Sequence, residues 1–183
     1  MTNILILITG FGLSALAFVA HWLIERIDLV TELTAGFPIW IQILGGVTIT
    51  PVVVILIYNW TTKSKRFDAL AQMSRYVIYE LNPSFTQIVT LSLAAGIGEE
   101  LLFRGVVQPL IGIVPASIIF AGLHTGFRFN KTVLRMYFVM VFIMSLILGL
   151  IARHIGLAAA ITTHAVWDFT MIVLVKKEIA GSE

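Results

Sequence analysis

Apolar residues fall along this chain in long blocks separated by short polar stretches, and block length is the first informative feature. A helix rising about 1.5 Å per residue crosses the hydrocarbon core of a bilayer in about 20 residues. On that ruler the pattern predicts spans over residues 4–24, 38–60, 85–108, a short 115–127, 134–153 and 157–175. The first block is too long and too weakly basic at its start for a cleaved signal peptide. Pro51 predicts a kink in the second, which neighbouring helices tolerate in a membrane. Trp22, Trp40 and Trp60 fall at block ends, where aromatic residues sit at the membrane interface. In the long polar interruption, 61–82, Phe67, Leu70, Ser74, Val77 and Leu81 recur at helical spacing opposite Lys65, Asp68 and Arg75. That segment reads equally as a helix on the membrane surface and as an amphipathic connector. The pattern predicts an all-α fold, a polytopic transmembrane helix bundle of about six spans. Residues 1–183 form one integral membrane domain with its motif-bearing core at about 84–175.

Composition agrees with a lipid environment. Hydrophobic residues make up 58% of the chain and charged residues 12%, with a mean hydropathy of +0.98, whereas a soluble domain carries roughly 25% charged residues. The absence of cysteine excludes disulfides and thiolate metal sites. The net charge of +2 comes from Lys and Arg at the ends of the apolar blocks, so the expected partner is the bilayer and not nucleic acid. One set of ends holds Lys63, Lys65, Arg66, Arg75, Arg128, Lys131, Arg135, Lys176 and Lys177; the other holds Arg26, Arg104 and Arg153. Cytoplasmic loops retain Lys and Arg, which predicts both termini in the cytoplasm; a bacterial-type plasma membrane is the expected location.

Ionisable groups at span centres cost at least about 2.5 kcal/mol each, so each needs a partner or a function. Glu99 and Glu100 are adjacent, about 100° apart around a helix, and cannot share one environment. Arg104, four residues on, can pair with Glu100. Glu99 keeps no local counter-charge, and a desolvated, unpaired carboxylate is a stronger base toward water than a surface Glu. His124 lies in the fourth block, and His164 and Asp168 share one face of the sixth. Counted from Pro109, Pro115 and Gly156 as helix ends, Glu99, His124 and His164 lie 10, 9 and 8 residues inward. These counts predict similar depths of about 15, 14 and 12 Å, which buries the three together. Ala94, Ala95, Gly96, Gly98, Gly105 and Ala158–Ala160 would let helix backbones approach closely around them. Elsewhere, His21 and Glu25 read as an interfacial i,i+4 pair, His154 as solvated, and Arg128 and Lys131 as sidedness markers.

Three segments resemble the motifs of the CPBP family, the CAAX proteases and bacteriocin-processing (Abi) enzymes. The family's EExxxR is similar to Glu99–Arg104, its FxxxH to Phe120–His124 and its Hxxx(N/D) to His164–Asp168, and the likeness spans about 86–175. The resemblance implies a helix bundle around a buried polar cavity that is filled with water. In it Glu99 activates a water held with His124, and His164 stabilises the oxyanion together with Asp168. Glu100, Arg104 and Phe120 take supporting places. Asp168 stands where the prenyl-protein branch has Asn, which weakens the case for a prenylated substrate. A carboxyl group there donates only when protonated; otherwise it orients His164 or binds substrate.

The expected function is therefore a cofactor-free, glutamic-type intramembrane endopeptidase acting on a membrane-associated peptide or protein. Two His and one Glu also suit catalytic zinc, although no HExxH is present. The same fold without catalysis would serve as a membrane binding or immunity protein. A proton or ion path is the further reading, and no inverted repeat supports a transporter. Ser92 and Ser117 each stand seven residues before a site residue, which makes a serine mechanism the weaker option.

Overall fold

The computed structural model describes residues 1–25 and 27–181; Arg26 lies outside the described residues, as does the side chain of Arg66. Helices dominate, and no strand is present among the described residues. Helix α1 (Thr2–Leu23) widens into a π turn over Leu7–Gly12. A short α2 (Leu29–Thr34) is capped by Asp28, whose carboxylate accepts from the Val30 and Thr31 amides at 3.1 and 3.2 Å. Helix α3 (Ile39–Thr62) carries Pro51 inside it, and α4 (Asp68–Leu81) is the amphipathic segment. Helix α5 starts at a Ser84/Gln87 capping box, runs as Phe85–Leu102, opens into a π turn over Phe103–Val107 and ends with Gln108–Ile111. Helices α6 (Ile113–Thr125), α7 (Thr132–His154) and α8 (Leu157–Ala180) complete the bundle.

Four helices, α1, α3, α7 and α8, are long and apolar enough to cross a membrane. They make the chain an integral membrane protein. The other two predicted spans differ for identifiable reasons. In α5 the two glutamates dilute the hydropathy, and α6 has 13 residues, about 20 Å against a hydrocarbon core of about 30 Å. The prolines taken as helix ends are not ends. Pro109 lies within the last segment of α5 and Pro115 within α6, and the break falls at Gly112, whose φ of +88° disfavours any residue with a Cβ.

Side-chain contacts gather the chain ends at one end of the bundle. There Thr2 Oγ1 donates to the Leu81 carbonyl at 3.4 Å, Gln87 to Asn3 at 2.9 Å, and the Lys176 ammonium to the Pro83 carbonyl. Glu178 accepts from both Arg75 and the Tyr58 hydroxyl at 2.5 Å, which fastens α4 to α3 and α8. At the opposite end Gln42, 2% exposed, donates to the carbonyls of Ala35 and Phe37 and accepts from the Ala159 amide. His21 does not pair with Glu25 there; its Nδ1–H donates to the Ile27 carbonyl at 2.8 Å and folds the loop back.

Helix α8 is the hub, packing on α3, α5 and α7. Its crossing with α5 is close because Gly96 lacks a side chain. A Cβ there would stand 2.8 Å from both the Ala165 Cβ and the Ile161 carbonyl oxygen. On the other side of α5, a Cβ on Gly98 would run into the Thr9 carbonyl of α1. Both glycines lie within the turn that precedes the glutamates, so α5 is clamped next to its charges.

Candidate active site

The two carboxylates of α5 meet opposite surroundings. Glu100 has no exposed surface, and it is bonded at both oxygens. Its Oε2 accepts from Arg104 Nε at 3.0 Å and its Oε1 from His164 Nδ1 at 2.8 Å. Arg104 donates in turn to Ser145 Oγ at 3.0 Å, with its guanidinium 5.4 Å from the centre of the Phe120 ring. Burial of this network is tolerable because each charge has an opposite charge or a donor beside it. The pairing of Glu100 with Arg104 follows from i,i+4 spacing, and the link from Glu100 to His164 comes from the helix crossing at Gly96. Arg104, counted with the loop-end cations in the sequence, is 1% exposed and lies inside the bundle.

Glu99 has no such partner. Its Oε2 is buried without a hydrogen bond, 3.7 Å from His124 Nε2 and 3.9 Å from His164 Nε2. Asp168 Oδ2 lies 3.6 Å from the same His164 nitrogen. These separations are too long for direct hydrogen bonds and short enough for one water to touch several of the atoms at once. The histidines are oriented from behind. His124 Nδ1 donates to the Phe120 carbonyl at 2.9 Å, and His164 Nδ1 to Glu100, so each neutral ring presents an Nε2 lone pair to Glu99. Four acceptors thus face one another. Such a cluster is satisfied only by added protons or by donor molecules, which makes it the candidate site.

All four predicted residues come together, with one change from the expected burial. Glu99 and His164 are buried, their side chains 11% and 3% exposed, whereas those of His124 and Asp168 are 31% exposed and form the rim. The cause is the short α6. His124 stands in its last turn, before Gly126 turns the chain at φ +57°. Shared depth survives the corrected helix end for two residues, since Glu99 lies 13 residues before Gly112 and His124 12 after it. His164 reaches the same level over fewer residues because α8 begins recessed, with Leu157–Ala160 buried and the Ala159 amide held by Gln42. Phe120 supports both rings, its centroid 4.4 Å from His124 and 6.0 Å from His164. The hydroxyls of Ser92 and Ser117 are buried and bonded to no histidine.

Residues 81–170 match the family described as "Type II CAAX prenyl endopeptidase Rce1-like". Over that stretch the chain is similar to the Rce1-like family. A Bacillus subtilis (strain 168) protein, described as uncharacterized protein YpbD, is 42% identical over 87 residues, a stretch covering 46% of this chain and 43% of that one. The match therefore spans less than half of the relative. No solved structure matches. The Rce1-like segment contains every residue of the two networks, Glu99 through Asp168, and excludes α1 and α3.

Two features of the Rce1-like site escape sequence reasoning. Ser145 is the one hydroxyl in the apolar stretch 138–152 of α7, and that polarity is the signal that could have found it. The Glu100–His164 bond has no signal in sequence. Among the described residues, no group of three or more His, Cys, Asp or Glu side chains is arranged to hold a metal ion.

Proposed function

We propose that this chain is a glutamic-type intramembrane endopeptidase that hydrolyses a peptide bond in a membrane-associated substrate. The observation that carries the reading is the buried Glu99 Oε2, free of hydrogen bonds and aimed at two imidazole nitrogens. Water positioned between Glu99 and His124 loses a proton to Glu99 as its oxygen attacks the scissile carbonyl carbon. The resulting oxyanion accepts a hydrogen bond from His164 in its doubly protonated form, which Glu100 and Asp168 stabilise by charge. Collapse of the intermediate breaks the C–N bond, and Glu99 returns its proton to the leaving amine.

A groove of about 870 Å³ between α3 and α7 supports a membrane-embedded substrate. Gly45, Ile49 and Val53 form one wall, Ile143 and Ile147 the other, and His164 with Trp167 the floor, so an apolar segment could lie in it beside the site. With Arg104 removed from the loop-end count, the charge asymmetry sharpens. The basic end, which holds both termini, is then cytoplasmic in a bacterial-type plasma membrane, and water enters past His124 from that side.

Two internally quenched peptides test the reading, one with a farnesylated C-terminal CAAX-type sequence and one an unmodified transmembrane segment. Wild-type protein in bilayers is expected to cleave at least one. Glu99→Gln is expected to lower turnover by about 10²–10⁴-fold, and unchanged turnover would overturn the mechanism.

A further inference from the structure

The site as built is rich in acceptors and poor in donors. Glu99 and Asp168 are carboxylates, and both histidines commit their Nδ1–H groups to partners behind them, the Phe120 carbonyl and Glu100. A second proton on His164 supplies one donor. Arg104 cannot supply another, because it is sealed against Glu100 and Ser145 with no exposed side-chain surface. Acyl-transfer sites gain most when several donors converge on the oxyanion.

Tyr137 of α7 offers the missing group. Its ring packs against the cluster of Phe103, Phe120, Ala121 and Val141, and Phe120 is the ring that touches His124 and faces His164. The half-buried phenol lies within electrostatic reach of Asp168 and Glu99. Among the described residues its hydroxyl has no protein hydrogen-bond partner. A phenol is a neutral donor at physiological pH, so it can face two carboxylates without a further proton.

We infer that Tyr137 is a second oxyanion donor, its O–H bonding the developing alkoxide alongside His164. The inference rests on the proposed peptidase reaction and gives this chain the donor that an ionised carboxylate at position 168 cannot provide. No bond to Tyr137 forms or breaks. The phenol keeps its proton throughout, and the proton removed from water travels through Glu99 as described above.

Tyr137→Phe keeps the ring in its cluster and removes only the hydroxyl. With the two quenched peptides, kcat is expected to fall about 10²-fold or more, with KM within about threefold of wild type and an unchanged unfolding midpoint. A packing role would leave kcat alone. Replacing Tyr137 by 2,3,5-trifluorotyrosine provides the second measurement, because it preserves the shape and makes the phenol more acidic. The alkaline limb of the kcat–pH profile should then move to lower pH, with Glu99, His124, His164 and Asp168 untouched. A kcat within about threefold of wild type in Tyr137→Phe, with Glu99→Gln inactive, removes Tyr137 from the reaction and leaves the peptidase standing. If Tyr137→Phe does not fold, an unmoved alkaline limb in the fluorinated protein overturns the inference by itself. Wild type that cleaves neither peptide, or Glu99→Gln as active as wild type, removes the peptidase reading and this inference with it.

Discussion

Across one helix, α5 separates two charge clusters of similar composition and opposite condition. On the closed side, Glu100, Arg104, the back of His164 and Ser145 are joined by bonds of 2.8–3.0 Å with no exposed side-chain surface on either ion of the pair. On the open side, Glu99, His124, Asp168 and the front of His164 face one another across 3.6–3.9 Å. The closed cluster is bonded at both Glu100 oxygens and at two of the three Arg104 nitrogens, with only Arg104 Nη1 buried without a partner. The open one keeps its bonding capacity at Glu99 Oε2, and the proposed reactivity rests on that difference more than on residue type. His164 belongs to both, its Nδ1 bonded to Glu100 in the closed cluster and its Nε2 turned toward Glu99 and Asp168 in the open one.

The sharpest way to break this comparison is to make the same substitution on both sides. Glu99→Gln should lower turnover by about 10²–10⁴-fold and leave the unfolding midpoint unchanged, since no hydrogen bond is lost. Glu100→Gln should do the reverse first, destabilising the fold by about 3–5 kcal/mol because Arg104 is left as an uncompensated buried charge. Thermal unfolding in detergent, read beside peptide cleavage, separates the two outcomes, and equal effects in both variants would erase the distinction. A smaller effect is expected at the edge of the closed cluster. Ser145→Ala removes one hydrogen bond to a charged group and should cost about 1.5–3 kcal/mol of stability, with KM unmoved. The smallest concerns the open cluster as a metal site. Turnover after exhaustive chelation and buffer exchange should stay within about twofold of untreated protein, and loss restored by zinc would convert Glu99, His124 and His164 from base and partners into ligands.

Much of this was legible in the chain. Block length gave helix positions to within a few residues, since lipid leaves the backbone no better choice than to satisfy its own hydrogen bonds. Spacing gave Glu100 to Arg104, because i and i+4 share a helix face whatever surrounds them. Errors arose where a local signal has more than one structural outcome. Pro109 read as a terminus, yet a proline that follows a π turn can continue a helix, and α5 ran on to Ile111. Arg104 read as a loop cation, although a buried partner on the preceding turn had already claimed it. His21 read as the partner of Glu25, and the nearer carbonyl of Ile27 took its proton instead.

Chain chemistry alone fixed a membrane location, helices, and a Glu/His/His/Asp group dispersed over three of them. Those properties are carried by composition and by periodicity within single helices, and they need no knowledge of neighbours. Packing decided the rest: which glutamate is satisfied, which histidine is buried and which sits at the rim, and where Ser145 enters. Each of those depends on how α5, α6, α7 and α8 cross, and the crossings are set by backbone approach at Gly96 and by the short reach of α6. A charge in lipid must find its partner across such a crossing, so its role becomes visible only when the helices are assembled.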